Sequence, residues 1–411
     1  MPFWPTGLVG PPWEFSLALA YLLLVLAGQG VPVLLAYRMP RLPEAGAGDP
    51  GSLPSLSVIL PARNEEDAIG ACLDSLAAQD YRSSGGSLEV IVVDGGSSDR
   101  TRELARAHPI GATVLDEPPL PAGWVGKNWA CHQGYLRSRG EYLLFLDSDL
   151  VLAPPVLRRA VDQARAERTC LLSLASRIVM RGFWERVVMP LFTQFVLVYF
   201  VAPRANVDTS HRAMANGQFM LFTRGGYESV GGHAAIRGTI LEDVHLAQRV
   251  KGQGQRLRVY WTPDWVTTRM YADRKEMREG LLKNLHGTRF SALRQLGLAS
   301  LVALFFLSPF AILVASLVGA LPAIWGIFST ALVAITALKQ VGFQRTLEGR
   351  GSGAFGLLYP LGALFYLGLF ASSLARGLGG REVTWKGRHY PLDPGVGGEA
   401  PTPEPPGPGK R

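Results

Sequence analysis

The chain has 411 residues, a formal net charge of +8 and three cysteines, and its mean hydropathy of +0.15 is unusual for a wholly soluble enzyme. Cys72, Cys131 and Cys170 are odd in number, widely spaced and form no Cys-x-x-Cys, so neither a disulfide framework nor a structural zinc site is implied and a reduced, cytosolic face is the simple reading. The basic residues are scattered and accompany no helix-turn-helix, zinc finger or aromatic RNA-binding pattern, which argues against nucleic acid as a partner.

Residues 15–37 carry no charge and suffice for one bilayer-spanning helix, which needs about 20 apolar residues. No Lys or Arg precedes this run and no small-residue cleavage pattern succeeds it, so residues 1–37 read as a retained anchor and not a secretory signal. Arg38 and Arg41 come directly after it and place the next segment of chain on the cytoplasmic side. A Pro/Gly-rich linker fills 38–54, and residues 55–295 hold most of the charge and all the cysteines.

Leu56-Ser-Val-Ile-Leu reads as a buried strand stopped by Pro61, and a helix is expected to open at Arg63 with Asn64 as its N-cap. A second strand, Leu88 to Val93, ends at Asp94-Gly-Gly-Ser-Ser-Asp, and residues 100–107 read as the next helix. The opening strand is apolar on both faces, as a parallel sheet covered by helices requires, and ligands of such sheets sit at the carboxyl ends of the strands. A dinucleotide site would need Gly-x-Gly-x-x-Gly after the first strand; here the chain reads Pro61-Ala-Arg-Asn-Glu-Glu, and no P-loop is present.

The run Tyr142 to Leu146 delivers Asp147-Ser148-Asp149. In an extended chain residues i and i+2 share a side, so both carboxylates can face one hard divalent cation, although Asp-x-Asp is also common in solvated turns. Arg186 to Ala202 is too short for a confident span and reads as an interfacial or core helix; Gly217–Phe222 reads as a strand, Tyr227–Gly232 as a turn, and Glu242-Asp243 as the start of a helix. Between Arg269 and Arg294, seven Lys or Arg outnumber three acids just before an apolar run, as suits a segment held to anionic headgroups. Leu296–Leu338 is uncharged and contains Pro309 and Pro322, which suggests two helices with a turn near Gly319–Pro322; Gly351–Ala375 supplies another, giving four spans. Four spans put both termini outside, yet Arg376, Arg381, Lys386 and Arg388 come after the last, so either one helix is re-entrant or the charge rule fails there. The Pro/Gly-rich residues 394–411 read as disordered.

Leu60-Pro-Ala-Arg-Asn-Glu-Glu, Val93-Asp-Gly-Gly-Ser-Ser-Asp-Arg-Thr, Gly123-Trp-Val-Gly-Lys-Asn, Asp147-Ser-Asp and Leu241-Glu-Asp, in that order, resemble family 2 glycosyltransferases of the GT-A fold over roughly residues 55–290. The resemblance implies a mixed, mainly parallel α/β sheet with one N-terminal and about three C-terminal transmembrane helices. It assigns the nucleotide-sugar donor, a UDP-hexose, to Pro61, Arg63, Glu65, Asp94, Lys127 and Asp147, with Glu65 and Asp94 holding uridine and ribose. An ionised carboxylate suits the uracil imide N–H, since it accepts a stronger hydrogen bond than a neutral group. Asp149 with Asp147 resembles the pair that binds Mg²⁺ or Mn²⁺ at the donor diphosphate. Asp243 resembles the base of inverting members, with Glu242 beside it. Each has a plainer reading: Glu65, Glu242 and Asp243 as acidic helix starts, Asp94 as a turn former, Lys127 as a solvated loop lysine, His233 and His245 as surface or core histidines, Trp124 and Trp129 as core aromatics.

Flanking spans suggest a lipid-soluble acceptor and a cytosolic donor. Gly231-Gly-His-Ala-Ala-Ile-Arg-Gly through Leu241-Glu-Asp, then Thr268-Arg-Met-Tyr and Lys283-Asn, look like membrane glycosyltransferases of carotenoid biosynthesis. Hopanoid-associated and ceramide glucosyltransferases share the earlier motifs. Processive polysaccharide synthases share them too but carry Gln-x-x-Arg-Trp after the base, absent here, which leaves Arg269, Arg274 and Arg278 as candidates for diphosphate or acceptor contacts. A catalytically inactive membrane assembly subunit is the non-enzymatic alternative, opposed by the intact Asp94, Asp149 and Asp243. The expectation is a cell-membrane, multi-pass enzyme with a cytoplasmic catalytic domain that moves a hexose, glucose from UDP-glucose, onto a carotenoid or other polyisoprenoid.

Overall fold

A computed structural model describes residues 11–44, 53–200, 202–271, 273–288, 290–378, 383–385 and 388–390. Residues 45–52 of the 38–54 linker, Arg289, Arg381, Lys386 and the 394–411 tail lie outside the described residues.

In chain order the first ten strands are β1 (Leu56–Ala62), β2 (Leu88–Asp94), β3 (Thr113–Asp116), β4 (Tyr142–Leu146), β5 (Leu150–Leu152), β6 (Leu171–Ala175), β7 (Arg177–Ile178), β8 (Phe219–Thr223), β9 (Leu257–Trp261) and β10 (Val266–Thr268). Seven form one sheet in the order β3-β2-β1-β4-β8-β6-β9, in which only β8 runs antiparallel to its neighbours; β5, β10 and β7 form a small second sheet. The expected mixed, mainly parallel sheet is therefore present.

Helices cover both faces. On one side α2 (Ile69–Ala77), α3 (Thr101–Ala107) and α5 (Val156–Ala166) pack on Val58, Leu60 and Leu144; on the other, α4 (Gly126–Arg137), α7 (Arg224–Ser229) and α8 (Glu242–Gly252) pack on Ile59, Leu143 and Phe145. Alternate residues of β1 thus enter opposite cores, which is why its run is apolar throughout. Each fully buried aliphatic side chain there contributes about 1.5–3 kcal/mol.

Three local expectations are corrected. β1 does not stop at Pro61: its ladder to β4 ends at Ile59, while pairing with β2 continues to Ala62, so the proline lies beyond the last doubly paired position. The next helix begins at Ile69, not at Arg63. Asn64 takes a left-handed φ of 52°, and its side chain accepts the Ser98 N–H instead of capping a helix. The Asn64, Glu65 and Glu66 N–H groups go to Ser97, Thr101 and Asp99, so the loops after β1 and β2 are stitched together in preference to a helical turn. Finally, residues 224–229 form the short helix α7, capped by Thr223, and the turn comes only at Gly231 and Gly232, both with positive φ.

Among the described residues, four helical stretches are long and apolar enough to cross a membrane: Pro12–Tyr37 (α1), Ala292–Leu317, Ala323–Glu348 (α12) and Gly351–Arg376. The second comprises α10 (Ala292–Val302), a π turn at Ala303–Leu307 and α11 (Ser308–Leu317); the last contains most of α13 (Tyr359–Leu378). The π turn has a chemical cause. Pro309 has no N–H to offer the carbonyl of Phe305, four residues earlier. Gln29 of α1 supplies the missing donor, its Nε2 lying 2.5 Å from that oxygen. Two further helices, α6 (Phe183–Phe200) and α9 (Arg274–Gly287), connect the sheet to the spans: α6 lies against α13 at Gly362, and α9 lies against the loop at Ile240 and Leu241 through Gly287.

Candidate active site

A cleft of about 1010 Å³ opens at the carboxyl ends of β1, β2 and β4. Pro61, Arg63, Glu65, Lys127, Asp147, Asp149, Glu242, Asp243 and Arg269 all line it, so nine positions scattered over some two hundred residues of sequence share one site.

Asp147 and Asp149 come together for a reason other than strand alternation. β4 ends at Leu146, and residues 147–150 turn back, with the Leu150 N–H donating to the Asp147 carbonyl at 3.3 Å. Asp149 Oδ2 accepts the Thr268 hydroxyl at 2.8 Å, whereas Oδ1 is buried with no hydrogen-bond partner among the described residues. Burial, then the charges of Asp147 and Glu65, push the Asp149 carboxyl up to about 7. The unpartnered Asp149 oxygen, set among further carboxylate oxygens in the cleft, fits a divalent cation. Among the described residues no group of three or more His, Cys, Asp or Glu is assembled. That suits Mg²⁺, which takes one or two carboxylates and completes its shell with phosphate and water.

Lys127 is not a solvated loop lysine. It stands in the first turn of α4, with Nζ 2.6 Å from Asp147 Oδ1, 2.7 Å from Glu242 Oε1 and 3.3 Å from the Gly217 carbonyl. Burial works against its charge, but the two carboxylates outweigh burial and raise its pKa well above the ordinary lysine value. The same contact holds the Glu242 carboxyl low despite burial. Asn128, fully buried, fixes the lysine's helix by donating Nδ2 to the carbonyls of Ile236, Arg237 and Thr239, on the loop that leads to Glu242.

Asp243 stands at the start of α8. Its Oδ2 accepts the Gly217 N–H at 2.9 Å and its Oδ1 the Val244 N–H at 2.8 Å. Burial, then the neighbouring Glu242 charge, push its carboxyl up to about 7. Such a group exchanges a proton readily near neutrality. Gly217 is the cradle for both acids: a Cβ there would lie 2.9 Å from Glu242 Oε1 and 3.1 Å from Asp243 Oδ2.

Other expected residues fall elsewhere. Asp94 is buried at the end of β2 and accepts the Ser97 N–H; it is Gly95, not Asp94, that reaches the cleft wall. Arg274 lies over the Trp184 ring at 4.6 Å and Arg278 donates to the Ser372 hydroxyl at 3.1 Å, and neither lines the cleft. Arg269 does, while also pairing with the buried Glu185 at 3.2 Å. His233 is a core residue bonded to Tyr227 at 2.8 Å, and burial depresses its pKa to about 3. Sequence reasoning missed Gly217 and the roles of Asn128 and Thr268 within the motifs that contain them. A glycine interrupting a strand-like run was the available sign for Gly217, because such glycines mark close backbone approach.

Residues 57–231 match the family model described as Glycosyl transferase family 2. A 4,4'-diaponeurosporenoate glycosyltransferase of Staphylococcus aureus is 27% identical over 346 residues, covering 82% of this chain and 88% of the relative. Among solved structures, the mannosyltransferase PcManGT from Pyrobaculum calidifontis, in complex with GDP-Man and Mn²⁺, aligns at a TM-score of 0.45 and 20% identity, over 85% of this chain and 98% of that one. Glucosyl-3-phosphoglycerate synthase from Mycobacterium tuberculosis, in complex with Mn²⁺, UDP and phosphoglyceric acid, aligns at 0.40 and 20% identity, over 61% and 86%. Most of the sheet and the Asp147/Asp149 side of the cleft thus match the Glycosyl transferase family 2 model, and along most of its length the chain is similar to a carotenoid glycosyltransferase.

Proposed function

We propose that the protein is a membrane-bound, inverting glycosyltransferase that moves a hexose, glucose from UDP-glucose, onto a carotenoid or other polyisoprenoid acceptor. The observation that carries this reading is the pairing in one cleft of the Asp147/Asp149 carboxylates with Asp243, a buried acid tuned close to neutrality, the two sides bridged by Lys127. The relative named for diaponeurosporenoate supports the acceptor class, and the four apolar helices support a multi-pass protein of the cell membrane. Arg38, directly after α1, supports a cytoplasmic catalytic domain.

In this reading Pro61, Arg63 and Glu65 line the nucleoside end of the cleft, and Asp94 acts beneath it by holding the 95–97 turn. Asp243 accepts the proton of an acceptor hydroxyl as its oxygen forms a bond to the anomeric carbon. The bond from that carbon to the diphosphate breaks on the opposite face, its electron pair leaving with UDP. The Gly217 and Val244 N–H groups keep the Asp243 carboxylate oriented, and Lys127 holds Asp147 and Glu242 in register. A Mg²⁺ or Mn²⁺ held by Asp149 and Asp147 would stabilise the charge gathering on the leaving diphosphate.

The test is transfer of radiolabelled sugar from UDP-glucose to lipid extract by membranes bearing wild type, Asp149→Ala or Asp243→Asn. Both variants are expected to lose transfer; a rate unchanged by either substitution sinks the mechanism.

A further inference from the structure

Beyond the carboxylates, the cleft wall passes to three helices: Phe192 and Val196 of α6, Leu281 of α9, and Tyr366 and Phe370 of α13. The whole cavity, about 1010 Å³, stands at the upper end of what a single small ligand fills, about 300–1,000 Å³. One polar atom stands out in this apolar arm. Tyr366 is only 9% exposed, and its hydroxyl is buried with no hydrogen-bond partner among the described residues. Buried tyrosine hydroxyls ordinarily find a partner. Tyr366 is also close to the reacting end: it neighbours Tyr271, which lies within electrostatic reach of Asp149.

We infer that this arm seats the acceptor, a lipid whose hydrocarbon chain lies between α6 and α13 and whose polar head is hydrogen-bonded by the Tyr366 hydroxyl. The inference rests on the glycosyltransferase reading and adds where, and by what, the acceptor is held. The occupant is a substrate because the arm is continuous with the reacting carboxylates. It is a lipid because the walls are apolar and α13 belongs to a stretch able to cross a bilayer.

Two variants and one label test it. Tyr366→Phe keeps the ring and removes only the oxygen; the KM for a prenyl alcohol acceptor is expected to rise about 3–10-fold while the KM for UDP-glucose holds, as loss of one hydrogen bond implies. Val196→Trp fills the arm, and kcat/KM for a long prenyl alcohol is expected to fall about tenfold further than for a short one. A diazirine-bearing prenyl alcohol is expected to crosslink to α6 and α13 peptides whether or not sugar is transferred. Unchanged acceptor KM in Tyr366→Phe with equal losses for short and long acceptors in Val196→Trp, or crosslinks confined to other helices, overturns the inference. Crosslinking to α6 and α13 with no consumption of UDP-sugar by wild type would instead overturn the glycosyltransferase reading and leave the lipid seat standing.

Discussion

Replacing Lys127 by methionine keeps the length of the side chain and removes the cation that stands 2.6 Å from Asp147 and 2.7 Å from Glu242. Breaking a fully buried ion pair by deleting one partner costs about 3–5 kcal/mol, because the remaining charge is left uncompensated. Glu242 is almost fully buried, but the lysine and Asp147 side chains keep roughly a third of their exposure, so water screens part of the loss and about 2–3 kcal/mol is the expected cost. At about 2–4 °C per kcal/mol for a domain of this size, the melting temperature should fall by about 4–12 °C. The loss has a pH signature. Without the lysine, burial is left to raise the folded pKa of the Glu242 carboxyl, so the variant's stability is greatest where that group is protonated and is lost as pH rises through its folded pKa. Thermal unfolding in detergent micelles at pH 8 and pH 6 reads this directly: Lys127→Met should be weakest relative to wild type at pH 8, and Lys127→Met/Glu242→Gln should recover part of the deficit. A melting temperature at pH 8 within a degree of wild type, or a double variant no better than the single one, refutes this electrostatic role for Lys127.

Asp243→Asn should lower transfer to hydroxyl acceptors about 10²–10⁴-fold, the range for losing a general base, with donor affinity retained. A carboxylate acceptor brings no proton to remove and should lose less, so comparing the two acceptors in a single-turnover assay separates the chemistries. In wild type, Asp243 titrates at about 7 and must be ionised to accept a proton, so the rate should fall as pH drops below neutrality; a rate flat from pH 8 to pH 5.5 contradicts its role. Gly217→Ala puts a methyl 2.9–3.1 Å from the Glu242 and Asp243 oxygens and should destabilise by about 1–3 kcal/mol, measurable by denaturant unfolding. Removing divalent cations with EDTA should abolish calorimetric binding of UDP, and Mg²⁺ or Mn²⁺ should restore it in wild type but not in Asp149→Ala.

The features legible in the sequence were those fixed by short-range chemistry. An apolar run buried on both faces can only be an inner strand, and carboxylates at its end must face whatever lies beyond the sheet edge, so Asp147 and Asp149 were found even though the turn that pairs them was not foreseen. Asp243 was found through its motif, but its cradle at Gly217 lies 26 residues earlier in the chain, and only the antiparallel insertion of β8 between β4 and β6 brings them together. Arg63 to Ala68 failed as a helix start because side chains from the next loop captured its N–H groups. Arg274 and Arg278 lie away from the cleft because a basic residue beside an apolar helix has two destinations, the cleft or the neighbouring helices, and local charge does not choose between them. Lys127 is the instructive intermediate: its type was right, but its partners belong to the Asp147 and Glu242 motifs, so its role is visible only once those two are adjacent.

The first span also has a bearing on how the molecule is made. Gln29 serves the Phe305 carbonyl, the Thr336 hydroxyl and the Lys339 ammonium group, and Tyr21 bonds Ser308 at 2.7 Å. These partners leave the ribosome more than two hundred and seventy residues after the helix that needs them. Until then the amide of Gln29 has these bonds unmade, and the later helices arrive with a proline-opened carbonyl that nothing in their own sequence can close. Replacing α1 by a generic apolar helix would therefore leave the later helices short of a partner.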